Sequence, residues 1–150
     1  MQTKSVITPC GEIVGKVTDY GAVFRGVRYA RAERFAKPVV VTRYDGAQDA
    51  TEQGVCCPQM RAFWNEEHRF YYKEFRKGMS FTYDEDCLIL DIHQPADAHD
   101  APVILFIHGG SFTGGSINEM QFDGSAYTRR GVIYVAVNYR LNALAAFPHP

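Results

Sequence analysis

Short runs of β-favouring residues separated by glycines make up the first thirty positions of the chain. Two such runs lie at residues 13–17 and 20–27, and this punctuation is typical of short antiparallel strands. Residues 31–58 have weak periodicity and contain Pro38 and Pro58, which favours an irregular connector over the surface. We therefore expect a strand-rich start followed by a loop.

A helix is predicted within residues 59–77, with Gly78 as its stop. Five apolar residues fall near one face of such a helix, among charged neighbours: Met60, Phe63, Trp64, Tyr71 and Phe75. The aromatic side chains would suit an acyl pocket, but packing in a core is the commoner role of aromatic residues. No substrate assignment rests on this segment.

The second half of the chain follows an α/β pattern. Residues 87–93 predict a strand, and the unbroken apolar run at 102–107 predicts a central strand covered on both faces. A short helix is expected from about 123 to 130, stopped by Gly131, before a second apolar run at 132–137. Strand, crossover and strand in this order favour a parallel pair. The predicted fold class is α/β, with antiparallel strands first and then parallel strands with a crossover helix, in a sheet expected to be incomplete.

The composition and charge of the chain bear on its number of domains, its partners and its location. A chain of 150 residues with 46% hydrophobic and 22% charged residues fits one globular domain, so residues 1–150 are assigned to a single domain. The net charge is −1 and neither sign forms a long run, which argues against a nucleic-acid partner or a membrane surface. Because neither a signal peptide nor a run of ~18 apolar residues is found, we expect a cytoplasmic protein.

Residues that commonly bind metals are scattered along the sequence. The histidines show no H-E-x-x-H spacing and the cysteines form no C-x-x-C pair. We therefore expect neither a metal site nor a cofactor. The chain has four cysteines: Cys10, Cys56, Cys57 and Cys87. Most of them are expected to be reduced and buried.

The most informative stretch is residues 108–116, His-Gly-Gly-Ser-Phe-Thr-Gly-Gly-Ser, directly after the apolar run at 102–107. Glycines in this place let the backbone turn sharply and approach a ligand closely. A phosphate-binding P-loop requires G-x-x-x-x-G-K-[ST], but Gly115 stands where the lysine is needed. The dinucleotide fingerprint G-x-G-x-x-G does not occur in the stretch.

An oxyanion hole fits the same stretch better. Acyl transfer places negative charge on a carbonyl oxygen, which preorganised backbone N–H groups stabilise. Lipases and esterases carry such donors in an H-G-G-G loop after the third strand. Here Ser111 is the fourth residue of that loop, and its N–H can donate although its Cβ restricts a conformation open to glycine. A tight turn without a ligand is the alternative.

Further motifs occur in a fixed order along the chain: G-E-I-V-G at 11–15, F-R-G-V-R-Y-A at 24–30, R-F-A-K-P at 34–38, C-P-Q at 57–59, E-D-C-L-I-L-D-I at 85–92 and N-Y-R-L at 138–141. Together with H-G-G-S-F at 108–112, they resemble the amino-terminal portion of the type-B carboxylesterase and cholinesterase family, which has the α/β-hydrolase fold. The segment at 85–92 is similar to one of the most specific signatures of that family.

The resemblance implies a function and roles for three residues of the loop. Gly110 and Ser111 would supply two oxyanion-hole N–H groups, and Gly109 would shape the turn. The substrate would be a carboxylic ester, cleaved through a serine acyl-enzyme.

Two structural contacts are also implied by the resemblance. Cys57 and Cys87 are expected to face each other, as a pair that forms a disulfide in secreted relatives. Whether the disulfide forms here depends on the compartment. Arg34 and Glu85 are expected to form an ion pair.

The chain departs from the family pattern at several positions. Arg28 stands where proline is usual, and Asn142 stands where a glycine follows N-Y-R-L, so packing at the carboxyl end is expected to differ. The tryptophan that cradles choline in cholinesterases lies shortly before the second cysteine. Because the only tryptophan here, Trp64, lies far upstream of Cys87, choline ester specificity is unsupported.

A nucleophile elbow, G-x-S-x-G, is absent from the sequence. Thr113 follows Ser111 where glycine is required, and Asn118 likewise follows Ser116. His108 is not assigned as a base for Ser111, because sequence neighbours rarely have the needed geometry. No catalytic residue is assigned within this chain, which is expected to carry only the oxyanion-hole half of an ester hydrolase and to be inactive alone. The alternative is a non-catalytic esterase-like interaction module or a truncated gene product.

Overall fold

The computed structural model describes residues 2–63 and 66–146, without the side chain of Ala146. The strands of this part are β1 (Thr3–Thr8), β2 (Gly11–Thr18), β3 (Gly21–Arg28), β4 (Ala30–Arg31), β5 (Val39–Val40), β6 (Gln48–Asp49), β7 (Ile89–Pro95), β8 (Val103–Ile107) and β9 (Ile133–Val137). The helices are short: α1 (Phe70–Phe75), α2 (Ser125–Thr128) and α3 (Ala143–Ala146), with 3₁₀ turns at Met60–Ala62 and Met120–Phe122. Trp64 lies outside the described residues.

One mixed sheet organises these elements. Its strand order is β1-β2-β3-β7-β9-β8, and β6 pairs in parallel with β2. Neighbours from β1 to β9 are antiparallel, whereas β8 and β9 run parallel, from Val103 opposite Ile133 to Ile107 opposite Val137. The predicted order of antiparallel strands, crossover helix and parallel pair is therefore confirmed.

The amino-terminal strands are more extensive than the sequence pattern predicts. The runs at 13–17 and 20–27 form parts of β2 and β3, but β1 was not expected, because its alternating T-K-S-V-I-T segment carries few apolar residues. Ile13, Phe24 and Val27 build a core cluster on this part of the sheet. The connector at 31–58 is largely irregular, as expected, with only two-residue strands within it.

The prediction of a helix over 59–77 is wrong for most of that segment. Of the described residues in this segment, only the 3₁₀ turn at Met60–Ala62 and the six residues of α1 are helical, and neither element contains a buried residue. Phe63 and Phe70 are exposed, so the aromatic spacing marks no buried face of the kind that stabilises a longer helix. The buried side chains described in this segment are instead polar or charged: Gln59, and Glu66 with Arg76, which pair at 3.0 Å.

The expectation that residues 102–107 form a central, covered strand is also corrected. β8 is the last strand of the sheet path, and nothing in the described part of the chain pairs with its outer side. Val103, Leu105 and Ile107 are 61–65% exposed. The second apolar run, at 132–137, forms β9 and is not at an edge, because β9 lies between β7 and β8. An apolar run indicates that a strand tolerates burial, but it does not ensure that other elements cover the strand. No element among the described residues covers β8 on both faces.

In the ranges that the structure describes, none of the helices has the length and apolar character needed to cross a bilayer.

Candidate functional site

The glycine loop, residues 108–116, begins where β8 ends. His108 is buried beneath the loop, where its ring stacks on Tyr139 with centroids 4.4 Å apart. The Tyr139 hydroxyl donates to the His108 carbonyl oxygen at 2.5 Å, and His108 Nδ1 lies 2.8 Å from the Gly109 carbonyl oxygen. Burial lowers the pKa of His108, which favours the neutral imidazole at pH 7. These contacts hold His108, the first residue of the loop, through both its ring and its carbonyl oxygen.

Gly110 can be only glycine in this conformation. Its φ is 120°, and a Cβ built on it would lie 1.8 Å from the Gly114 carbonyl oxygen. The Gly110 carbonyl oxygen in turn accepts the N–H groups of Thr113 and Gly114 at 3.0 and 3.2 Å. The two limbs of the glycine loop, residues 109–111 and 113–115, are therefore in direct contact, which makes its turn tight and well defined.

Ser111 adopts the left-handed conformation that the family pattern provides with a glycine, at φ 53°. Phe112 follows it at φ 57°. A non-glycine residue in this region costs roughly 1–2 kcal/mol. The loop therefore has a backbone conformation typical of glycine, although residue 111 is a serine.

Donor groups of the loop remain free for a ligand. Among residues 2–63 and 66–146, the N–H groups of Gly109, Gly110 and Ser111 donate to no protein acceptor. Gly109 and Ser111 line an open concavity of about 500 Å³ whose other walls are mainly apolar side chains: Leu105, Ile107, Phe112, Val137 and Tyr139. Gly109 has open space where a Cβ would stand. Unsatisfied donors beside an apolar surface are what oxyanion stabilisation requires.

A P-loop is not formed by the same residues. Phosphate cradles of that type open directly into a helix, whose N-terminus contributes further N–H groups. Here Ile117 and Asn118 lead to the 3₁₀ turn at Met120–Phe122. The missing lysine and the missing helix both argue against nucleotide binding.

Neither serine of the loop is placed as a nucleophile. Ser116 is buried, and its hydroxyl oxygen accepts the N–H of Asn118 at 3.1 Å and lies 3.0 Å from the Cys56 sulfur. Ser111 is exposed, and in the described residues no hydrogen bond joins it to His108. The absence of a nucleophile elbow from the sequence therefore agrees with the geometry of both side chains.

Gln59 holds the far limb of the loop and was not predicted to belong to the site. Its Nε2 donates to the Gly115 carbonyl oxygen at 3.0 Å, and its Oε1 accepts the Gly115 N–H at 3.0 Å. The sequence signal was the C-P-Q motif at 57–59, but nothing in the motif shows that its glutamine reaches a loop 56 positions away.

The expected meeting of Cys57 and Cys87 is confirmed. Both are buried free thiols in one cluster with Leu141, whose N–H donates to the Cys57 sulfur at 3.1 Å. The hydrogen bond between the two sulfurs lowers the pKa of Cys57 and, with burial, raises that of Cys87. These contacts hold the C-P-Q segment against the chain just before β7 and just after β9.

The expected ion pair of Arg34 and Glu85 is confirmed too. Arg34 Nε donates to Glu85 Oε2 at 3.0 Å, and a second nitrogen contacts the other carboxylate oxygen. The guanidinium lowers the pKa of Glu85. Arg28, which replaces the usual proline, contacts the carboxylate of Asp86. The two arginines therefore bind neighbouring acidic residues just before β7.

No metal centre is found in the part of the chain that the structure describes, where no cluster of three or more His, Cys, Asp or Glu side chains could hold an ion. His93 is buried, and desolvation lowers its pKa to about 4. His99 is exposed beside Asp100.

Comparisons with known proteins identify the family of this chain. The model of the Carboxylesterase family matches residues 2–147, and the chain belongs to that family. Carboxylesterase 3 of Pongo abelii is 34% identical over 133 residues, which cover 83% of this chain and 22% of that protein. Para-nitrobenzyl esterase of Bacillus subtilis (strain 168) is 31% identical over 147 residues, 94% of this chain and 28% of that protein.

Solved structures of esterases share the fold. An esterase from the anaerobe Clostridium hathewayi that can hydrolyse aliphatic aromatic polyesters has a TM-score of 0.77 and 31% identity, over 94% of this chain and 29% of that one. A Geobacillus stearothermophilus carboxylesterase has a TM-score of 0.73 and 31% identity, over 92% and 26%. The fold is therefore that of the α/β-hydrolases, and the chain spans about a quarter of the length of these relatives.

Proposed function

We propose that this chain contributes the oxyanion hole of a carboxylic ester hydrolase that works through a serine acyl-enzyme. The observation that carries the proposal is that the N–H groups of Gly109, Gly110 and Ser111 have no acceptor among the described residues, and that Gly109 and Ser111 line an apolar concavity. In such a reaction the serine oxygen attacks the ester carbonyl, and the carbonyl oxygen gains negative charge. The Gly110 and Ser111 N–H groups would then donate to that oxygen.

The nucleophile, the base and its orienting acid are not assigned to residues 1–150. Ester hydrolysis is therefore proposed for the protein at its native length, with these residues supplying charge stabilisation. An apolar surface suits the acyl or alcohol part of an ester, and it also excludes water, which strengthens hydrogen bonds to the oxyanion. The proposed setting is cytoplasmic, where Cys57 and Cys87 would stay reduced.

The first test is hydrolysis of p-nitrophenyl butyrate by the purified chain of residues 1–150. The expected rate equals that of buffer, because neither Ser111 nor Ser116 is placed as a nucleophile. Turnover that disappears in Ser111→Ala would make Ser111 the nucleophile, and turnover that survives both Ser111→Ala and Ser116→Ala would place the nucleophile elsewhere in these residues. Either result contradicts the proposed division of roles.

The second test uses the protein expressed from its gene at native length. Hydrolysis of the same ester, with covalent labelling of one serine by a fluorophosphonate, is the expected result. A native-length protein that is folded but neither hydrolyses esters nor is labelled would instead favour the non-catalytic interaction module.

A further inference from the structure

Gln59 is a buried side chain whose amide is used completely by two backbone segments. It is 4% exposed. Its Nε2 donates to the carbonyl oxygens of Cys57 and Gly115 at 3.1 and 3.0 Å, while its Oε1 accepts the Gly115 N–H at 3.0 Å. The two-way pairing with Gly115 fixes both the position and the orientation of that peptide, because donor and acceptor must both be met.

Gly115 lies directly against the limb of the glycine loop that carries the free donors. At its φ of 110°, a Cβ would be 2.6 Å from the Gly109 carbonyl oxygen and 2.6 Å from His108 Nδ1. The neighbouring Gly114 carbonyl lies closer still to Gly110, where an added Cβ would be 1.8 Å from its oxygen. The contacts of Gly115 with Gly109 and of Gly114 with Gly110 are between backbone atoms. A displacement of Gly115 must therefore move the peptides of Gly109 and Gly110 as well.

The segment that carries Gln59 is itself held firmly. The Leu141 N–H donates to the Cys57 sulfur at 3.1 Å, and Asn142 Nδ2 donates to the Pro58 carbonyl oxygen at 3.3 Å. Gln59 therefore connects a rigid support after β9 to the loop at the end of β8.

We propose that Gln59 is a positioning residue for the oxyanion donors, acting through Gly115 on the N–H groups of Gly110 and Ser111. The inference rests on the proposed function for its catalytic consequence, although the anchoring itself does not. An oxyanion hole stabilises charge only when its donors are already in place. Gln59 supplies that preorganisation without touching the substrate.

The test compares Gln59→Met with Gln48→Met. Methionine has a similar length but neither donates nor accepts in this way. Gln48 is a matched control, because its Oε1 accepts a single backbone N–H, that of Arg28, at 3.3 Å and away from the loop. In the native-length protein, with rates divided by the concentration of titratable serine, Gln59→Met should lower kcat by roughly 10- to 100-fold with little change in KM, as misplaced catalytic groups do.

A second readout separates positioning from a general loss of stability. The affinity for a trifluoromethyl ketone, whose adduct carries the oxyanion, should fall by the same factor as kcat/KM, since both report on stabilisation of that charge. Amide hydrogen exchange should quicken in the glycine loop and stay unchanged in β3 and β7. Unchanged kinetics, or exchange that quickens throughout the sheet, would overturn the proposal.

The two proposals can fail separately. If the native-length protein cleaves no ester, the proposed function fails, and loop exchange in the 150-residue chain still tests the anchoring by Gln59. If the ester is cleaved and Gln59→Met matches Gln48→Met in every readout, only the inference about Gln59 fails.

Discussion

The backbone N–H of Asn142 donates to the carbonyl oxygen of Phe112 at 2.8 Å, and both residues have left-handed backbones, at φ 54° and 57°. This bond joins the glycine loop to the segment after β9. Asn142 occupies a position where the family pattern has glycine, as Ser111 does in the loop itself. At two positions where the resemblance implies glycine, this chain carries other residues and still has the backbone conformation that glycine favours.

Ser111→Gly should raise the free energy of unfolding by about 0.5–1 kcal/mol. Removing the side chain relieves a left-handed strain of roughly 1–2 kcal/mol, which outweighs the ~0.5–1 kcal/mol that glycine costs through unfolded-state entropy. Chemical denaturation of the purified chain measures the change. As a control, Ser125→Gly in α2 should destabilise the chain, because Ser125 is helical. A loss of stability at Ser111 comparable to that at Ser125 would show that the strain is absent.

Asp91→Asn should stabilise the chain more at pH 7 than at pH 4. Asp91 is 3% exposed, accepts the Gly26 N–H at 2.8 Å and lies 3.6 Å from Arg25, yet burial raises its pKa to about 6. This pKa is above that of Asp91 in the unfolded chain. The stabilising contribution of the neutral carboxyl is therefore present at low pH and is lost as the pH rises through about 6.

The stability difference between Asp91→Asn and the unchanged chain should therefore grow from near zero at pH 4 to roughly 2–3 kcal/mol at pH 7. Urea denaturation at several pH values measures it. His93 also titrates with a shifted pKa, but it is present in both proteins, so the comparison at each pH removes its contribution. A difference that does not change with pH would contradict the buried, ionising Asp91.

Leu105→Lys should reduce self-association of the 150-residue chain. Leu105 is exposed on β8, an uncharged strand with an open side in the described sheet, and such edges pair with other chains unless a charge interrupts them. Light scattering after size-exclusion chromatography should show a larger monomer fraction. Phe70→Lys is the control, because Phe70 is also exposed but lies on α1. An equal effect of both substitutions would mean that general hydrophobicity, and not the strand edge, drives association.

The sequence predicts the parts of this structure that depend on local pattern and on ordered motifs. Alternation and apolar runs locate β2, β3, β8 and β9, and the motifs predict the meeting of Cys57 with Cys87. The aromatic spacing of residues 59–77 misleads, because exposed rings and a buried Arg76–Glu66 pair occur where a helical face was expected. The role of Gln59 could not be predicted, since it depends on a contact between distant segments.

The central claim is that the backbone of Gly109, Gly110 and Ser111 stabilises an oxyanion. The most direct test is kcat/KM for p-nitrophenyl butyrate in the native-length protein, with Gly109→Ala, Gly110→Ala and Gly46→Ala compared. Gly110→Ala should lower kcat/KM by about 100-fold, because its Cβ meets the Gly114 carbonyl and displaces the donors. Gly46→Ala, at φ 95° with open space around it, imposes comparable backbone strain away from the site.

Gly109→Ala decides the matter if Gly110→Ala folds poorly. Its methyl group would contact no neighbouring atom within 4 Å, so the fold and the N–H groups are retained while the space beside the donors is reduced. We expect a clear fall in kcat/KM for Gly109→Ala at unchanged stability, and unchanged kcat/KM for Gly46→Ala. Full activity of Gly109→Ala would contradict this prediction, and so would a folded and fully active Gly110→Ala.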